Sequence, residues 1–248
     1  MHPRLIHTVL CLVLLLIGAS GAARASPTAD MPEDRDEWET IAREMILRPE
    51  FEALPLQIRW PPAQAGGGSP MEVEVRSGQC LLQLRTLGHP VVPLLLAKAA
   101  PENRRWWMRA MVAHEIAHCW RWQNDTSALH QLAHLTGHAG TDPRAARQAA
   151  RQRQREEAFA DVAALAWVWR VAPSQFGPML EAFQRLRSDL RLSVGPHDTR
   201  LALERVRREG FAPGLAPFDA ASALLETALA DSGHGGERPE PHPGTGRR

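Results

Sequence analysis

The feature that most constrains the fold of this chain is the segment 102–123, which contains neither Pro nor Gly. Apolar side chains recur along this segment, at Trp106, Met108, Met111, Ile116 and Trp120. Placed on a helix, they cover more than one side, whereas a surface helix carries a single apolar stripe. The segment therefore predicts a largely buried helix, against which the rest of the chain must pack.

The remaining patterns predict a mostly helical α+β domain. Further helices are expected over residues 32–47, 143–171, 174–190, 197–207 and 219–230, and strands over 56–60, 71–75 and 80–84. The strands precede the buried helix, and we expect them to form a small antiparallel sheet. One domain is expected over residues 26–230, because a chain of this length can bury one substantial core. A disordered tail, rich in Gly, Pro and charge, is expected over 231–248.

Residues 1–25 have the pattern of an export signal. Arg4 precedes an apolar run from Val9 to Ala19, and Ala23-Arg24-Ala25 supplies the small-x-small pattern that signal peptidase cleaves. The apolar run is shorter than the roughly 20 residues that span a bilayer. We therefore expect cleavage after Ala25 and a periplasmic or secreted protein, with membrane contact only if the signal segment stays uncleaved.

Export would leave Cys80 and Cys119 in the mature chain. In an oxidising compartment two such thiols can pair in a disulfide, and the alternative is a pair of buried free cysteines. The spacing between them matches no metal-binding motif. The sequence pattern leaves both states open.

A motif with the spacing of a metal site lies within the buried helix, at His114-Glu115-Ile116-Ala117-His118. The two histidines lie one helical turn apart on the same face, where both imidazoles can bind one cation, and zinc suits such a pair. Glu115 is rotated from His114 by about 100° around the helix axis. This rotation directs its carboxylate to a water on the metal rather than to the metal itself, which is the position of a general base.

A catalytic zinc takes three protein ligands and keeps one position open, so another segment must supply the third ligand. Glu157 is one candidate, because it shares a helix face with Asp161 and the small Ala158 and Ala160 allow close helix packing. The other candidates are histidines: His197, and the series His130, His134 and His138. Thr136 and Gly137 make a solvated segment the preferred interpretation of the series.

The motif His-Glu-x-x-His, followed on a later helix by Glu-x-x-Ala-Asp, resembles the gluzincin metallopeptidases of the CaaX prenyl protease type. It is similar also to their small soluble relatives, the minigluzincins. The resemblance covers residues 113–164 and, more weakly, the region near His197. It implies a zincin-like core with Zn²⁺ as cofactor, Glu157 as the third zinc ligand, and Asp161 as the carboxylate that holds a ligand histidine.

The chain contains no Tyr, so a tyrosine hydroxyl cannot stabilise the oxyanion that forms when a peptide carbonyl is attacked. The candidates for this role are His197 and Arg200. Peptidases of the resembled type carry a later His and Arg in a comparable stretch. The alternative is a helix cap at Asp198 or Thr199, with Arg200 exposed to solvent.

Together, these residues predict a zinc-dependent peptidase, of endopeptidase type, with Glu115 as general base and a polypeptide as substrate. The alternative is a zinc-binding module of the bacterial envelope that lacks proteolytic activity and acts in binding or as a chaperone. Nucleic acid is not an expected partner, because 29 Lys and Arg nearly balance 28 Asp and Glu.

Overall fold

The computed structural model describes residues 32–61, 69–86, 88–124, 143–189 and 197–233. It confirms the α+β class, with a small three-stranded sheet ahead of most of the helices. The helices are α1 Pro32–Ile46, α2 Val92–Leu96, α3 Arg104–Asn124, α4 Pro143–Val171, α5 Pro173–Ser188, α6 Arg200–Glu209 and α7 Pro217–Gly233. The strands are β1 Leu56–Arg59, β2 Met71–Arg76 and β3 Gln79–Leu84.

Several predictions concern parts of the chain outside the described residues. These parts are the proposed export signal at 1–25, the histidine series within 125–142 and the tail from 234 onwards. Residues 231–233, which were predicted to be disordered, form the end of α7. Among the described residues, no helix has both the length and the apolar character that a membrane span needs.

The strand order of the sheet is β1–β3–β2. β2 and β3 form an antiparallel hairpin whose turn residues, Ser77 and Gly78, have positive φ angles of 50° and 80°. Two positive φ angles are what a two-residue type I′ turn requires. β1 pairs in parallel with β3, with Leu56 opposite Cys80, so the prediction of a wholly antiparallel sheet is wrong for this pair. The tight turn fixes only the hairpin, whereas the longer link between β1 and β2 allows β1 to join the opposite side of β3.

Helix α3 is the centre of the fold, which confirms the predicted buried helix. It packs along α4 and also contacts α1, α5 and the sheet. Both α3 and α4 bury alanines, namely Ala110, Ala113 and Ala117 on α3 and Ala160, Ala163 and Ala164 on α4. The distance between two packed helices depends on the side chains at their contact, and small buried residues of this kind allow a close approach.

Helix α2 is a short element that the sequence pattern does not predict, because a brief apolar run gives no distinct helical or strand period. The indole Nε1 of Trp107 donates a 2.8 Å hydrogen bond to the carbonyl oxygen of Leu95. Just beyond the helix, Nζ of Lys98 lies 2.6 Å from the carboxylate of Asp189, at the end of α5. These contacts hold α2 against α3 and α5.

Cys80 of β3 and Cys119 of α3 form a disulfide, which resolves the alternative that the sequence leaves open. The two Cα atoms lie 5.9 Å apart and both residues are fully buried. The bond joins the central strand of the sheet to α3 at the residue that directly follows His118.

Removing this cross-link is expected to lower the free energy of unfolding by about 3–4 kcal/mol. The bond closes a loop across a sequence separation of 39 residues, and its loss gives the unfolded chain more conformational entropy. Urea unfolding of the Cys80→Ala/Cys119→Ala variant measures the effect. Dithiothreitol should reproduce the loss in the wild type and leave the variant unchanged, and equal unfolding free energies for the two oxidised proteins would contradict the prediction.

Candidate metal centre

The candidate site lies between α3 and α4. The contacts between these helices pair earlier residues of α3 with later residues of α4. The Nε2 atom of His114 is 3.6 Å from Oε2 of Glu157, and Nε2 of His118 is 3.8 Å from Oε1 of Glu157. One ligand atom from each of the three residues lies within 4.8 Å of the other two. His114, His118 and Glu157 therefore form a group that could hold a metal ion.

The spacing and chemistry of this group fit zinc. Zinc binds imidazole nitrogen and carboxylate oxygen at about 2.0–2.2 Å in tetrahedral geometry, which puts neighbouring ligand atoms about 3.3 Å apart. The two nitrogen–oxygen distances, 3.6 and 3.8 Å, exceed this value by a few tenths of an ångström. Two imidazoles with one carboxylate also leave a fourth position open, as a catalytic site requires.

Asp161 lies behind His114, on the side away from Glu157. Its Oδ1 is 2.9 Å from Nδ1 of His114, so this ring nitrogen faces a carboxylate and Nε2 is directed at Glu157. Burial opposes a charge on His114, but the Asp161 and Glu157 carboxylates outweigh burial and raise its pKa. The surroundings of this imidazole therefore favour positive charge, which a bound cation would supply.

The other two members of the group have the charge states that metal binding needs. Burial and the adjacent His114 lower the pKa of His118 to about 4, so its imidazole is neutral near pH 7. Burial would raise the pKa of Glu157, but the imidazoles of His197, His114 and His118 and the guanidinium of Arg187 hold it well below its usual range. Metal ligands must be deprotonated, and both side chains meet that condition.

Glu115 lies beside the group without belonging to it. Its side chain faces the cavity next to the metal group and is only 8% exposed. Burial raises its pKa to about 7, with the His114 imidazole opposing this effect and the Glu157 carboxylate adding to it. A carboxylate that titrates near the working pH suits general acid–base chemistry, because it can both accept and return a proton.

Arg187 is a site residue that the sequence analysis missed. Its Nε and Nη2 atoms donate to the two oxygens of Asp161 at 2.8 and 2.7 Å, and Nη2 also donates to Oε2 of Glu157 at 3.2 Å. The side chain is 5% exposed. Arg187 lies four residues after Phe183 and eight after Met179, so the helical period places it on the buried face of α5. This placement is the signal that could have identified it, because an Arg on an apolar face needs a buried partner.

The region after α5 contributes two further residues to the site. His197 lies at the edge of the metal group, with Nδ1 3.1 Å from Oε2 of Glu157 and 47% of its side chain exposed. Thr199 occupies the N-cap position of α6 without capping it, because its hydroxyl donates to Oδ2 of Asp161 at 2.5 Å. Asp161 thus receives hydrogen bonds from Thr199 and Arg187, and both of these contacts join residues far apart in sequence.

The structure does not bring Arg200 to the metal group. Its Nε and Nη2 atoms each donate a 2.8 Å hydrogen bond to the carboxylate of Asp198. The Arg200 side chain is 56% exposed. The geometry therefore matches the alternative in which Arg200 is exposed to solvent, because the carboxylate of Asp198 holds its guanidinium. The cation beside Glu157 is Arg187 instead.

A cavity of about 610 Å³ opens in front of the metal group. Its walls include Glu115, His114, His118 and Glu157, together with residues of β2 from Met71 to Val75. β2 pairs only with β3 in the described sheet, so its outer edge is free of strand partners there. An edge strand beside such a cavity can bind an extended peptide through backbone hydrogen bonds.

Replacing Asp161 by Asn is expected to destabilise the fold by up to about 3–5 kcal/mol, because the buried Arg187 guanidinium loses the carboxylate that accepts two of its hydrogen bonds and keeps only its longer contact with Glu157. Thermal and urea unfolding measure the loss. The double variant Asp161→Asn/Arg187→Met, which removes the buried guanidinium as well, should recover part of the stability. If the change in unfolding free energy of the double variant equals the sum of the two single changes, the two side chains are not coupled.

Comparison of the chain with protein-family models, with curated proteins and with solved structures finds no match. The residues and geometry of the site are therefore the basis for assigning a function to the chain.

Proposed function

We propose that this chain is a zinc-dependent peptidase of the gluzincin type, and specifically an endopeptidase. The observation that carries the proposal is the grouping of His114, His118 and Glu157 within 4.8 Å, with Glu115 on the wall of the same cavity. Two imidazoles and a carboxylate with an open fourth position are the ligand set of a hydrolytic zinc site. A group that served only structure would have no need of a buried carboxylate beside it.

The reaction follows from the positions of the side chains. When bound, zinc would supply a Lewis acid that acidifies a water and polarises the peptide carbonyl. Glu115 takes a proton from the attacking water and later delivers it to the nitrogen of the leaving amine. Asp161 keeps His114 in one orientation, since their contact fixes the direction of Nε2. Arg187 in turn holds Asp161 through two hydrogen bonds.

His197 is the proposed donor to the oxyanion, because it is the partly exposed polar side chain next to Glu157. Replacing it by Ala should lower turnover by about a hundred-fold with zinc still bound, as expected for the loss of one such donor. The measurement is kcat alongside zinc content. A rise in activity would instead mean that His197 blocks the fourth metal position in a latent enzyme.

The same proposal extends to substrate and location. The substrate is a polypeptide that adds to the free edge of β2 in extended form, and nucleic acid is not a partner. The buried Cys80–Cys119 bond supports an oxidising compartment, in agreement with the export signal expected at residues 1–25. The proposed location is the periplasm or the outside of the cell.

Zinc content and casein hydrolysis of the purified chain test the proposal. We expect one zinc ion per chain and proteolysis that 1,10-phenanthroline abolishes and added zinc restores. A chain that binds no zinc would overturn the proposal. A chain that binds zinc but cleaves no casein or peptide library would replace it with the non-proteolytic binding module.

A further inference from the structure

The cavity in front of the metal group extends along α3 in both directions. Met111 lines it before the ligand histidines and Trp122 lines it after them. At 1.5 Å per residue these positions are about 16 Å apart along the helix axis. An extended peptide covers that length with about five residues, at roughly 3.3 Å each. The two ends of the cavity are therefore spaced for substrate side chains at the second or third residue on either side of a cleaved bond.

One end of the cavity is apolar. Its walls come from three elements, with Val91 and Leu95 at α2, Met111 on α3 and Leu186 on α5. Met111, Leu95 and Leu186 are buried in the fold and Val91 is partly exposed. Because the contacts of Trp107 with Leu95 and of Lys98 with Asp189 hold α2 in place, this wall is preformed.

The other end carries a positive charge that no carboxylate of the described residues pairs with. Arg121 lines the cavity there, but its Nη2 lies 3.2 Å from the carboxylate of Glu156, so this pair is neutral overall. Arg153 also lines the cavity, on α4 one helical turn before Glu157, and its side chain is exposed. Within the described part of the chain, Arg153 has no ion-pair partner. It is therefore available to a negatively charged group on a substrate.

We propose that the site selects polypeptide segments by two side chains, one aliphatic and one acidic, placed four or five residues apart on opposite sides of the cleaved bond. The aliphatic side chain enters the apolar end, and the acidic side chain pairs with Arg153. This inference rests on the proposed peptidase function and names its substrate class. It assigns a role in substrate binding to the two ends of the cavity, which lie away from the proposed catalytic residues.

Binding of fluorescent decapeptides by the zinc-loaded Glu115→Gln variant measures recognition without turnover. The peptides carry the two side chains in both orders, with the aliphatic residue before the acidic one or after it. Replacing the acidic residue of the peptide by Gln should weaken binding about three- to five-fold at low salt, and less at high salt. Replacing the aliphatic Leu by Ala should weaken it at least about ten-fold, because the apolar area buried in the cavity decreases.

Charge reversal at Arg153 supplies the matched test. In the Arg153→Glu background, peptides with Lys in place of the acidic residue should bind better than the original peptides. Arg155→Glu is the control, because it changes net charge equally on the same helix but does not line the cavity. Val91→Phe, at a partly exposed wall position, should narrow the apolar end and shift the preference from Leu to Ala.

Parallel cleavage assays with the wild type keep the two proposals separate. Cleavage without a preference for the paired side chains, or equal effects of Arg153→Glu and Arg155→Glu, overturns the substrate class and leaves the peptidase intact. Selective binding without any cleavage supports the two-ended recognition and overturns the peptidase. Cleavage with the predicted preference, reversed only by Arg153→Glu, supports both.

Discussion

Replacing Glu115 by Gln is expected to lower the rate of peptide hydrolysis by about three orders of magnitude while zinc stays bound. The substitution keeps the size and shape of the side chain and removes its ability to accept a proton. Glu115 lies outside the group of three candidate ligands, so zinc content should equal that of the wild type. Because burial already raises the pKa of Glu115 to about 7, a neutral Gln should not destabilise the fold. Initial rates on a quenched peptide and zinc analysis by mass spectrometry measure both quantities.

The control for this variant is Glu181→Gln, which removes a carboxylate on α5 that is 61% exposed. Its activity and zinc content should both match the wild type. If Glu115→Gln keeps more than about a tenth of the activity, another group must take the proton from water. A loss of zinc together with activity would place Glu115 among the ligands instead.

Replacing Glu157 by Gln is expected to weaken zinc binding by more than about a hundred-fold, and activity should fall with it. Loss of a group that only supports a ligand costs about 10- to 100-fold, so the loss of a ligand should cost at least as much. A neutral amide also leaves the dication without its only carboxylate in the group of three. Competition with a chromophoric zinc chelator measures the dissociation constant.

Glu156→Gln provides the matched control, since Glu156 is the preceding residue on the same helix and pairs with Arg121 rather than with the metal group. Its zinc affinity should stay within a few-fold of the wild-type value. Equal zinc affinities in Glu157→Gln and the wild type would remove Glu157 from the proposed ligand set. Together, the Glu115 and Glu157 variants separate the loss of the base from the loss of the metal.

The helices of this fold are largely predictable because local signals mark them. Pro143 begins α4, Pro173 follows its end, and the absence of Pro and Gly over 102–123 indicates α3. His114 and His118 could be placed together for the same reason, since the helical period alone puts them on one face. These parts of the site depend only on contacts within one helix.

The remaining parts depend on packing between distant segments. Arg187 and Thr199 reach Asp161 across sequence separations that no local period describes. The position of β3 at the centre of the sheet is likewise a property of strand pairing, although its nearly continuous burial is typical of a central strand. The resemblance implied that Asp161 holds a ligand histidine. Its Oδ1 lies 2.9 Å from Nδ1 of His114, and the role of His114 as a ligand stays a prediction.

The alanines buried in α3 and α4 have a consequence for which ion the site can hold. The proposed ligands come from two helices, so the separation of those helices determines how far Glu157 lies from His114 and His118. Replacing Ala160 or Ala164 by a larger residue would force the helices apart, whereas metal–ligand bonds vary by only about 0.2 Å. Zinc takes bonds of about 2.0–2.2 Å and calcium bonds of about 2.3–2.6 Å. We therefore expect the size of these buried side chains to influence the radius of the ion that the proposed site accepts.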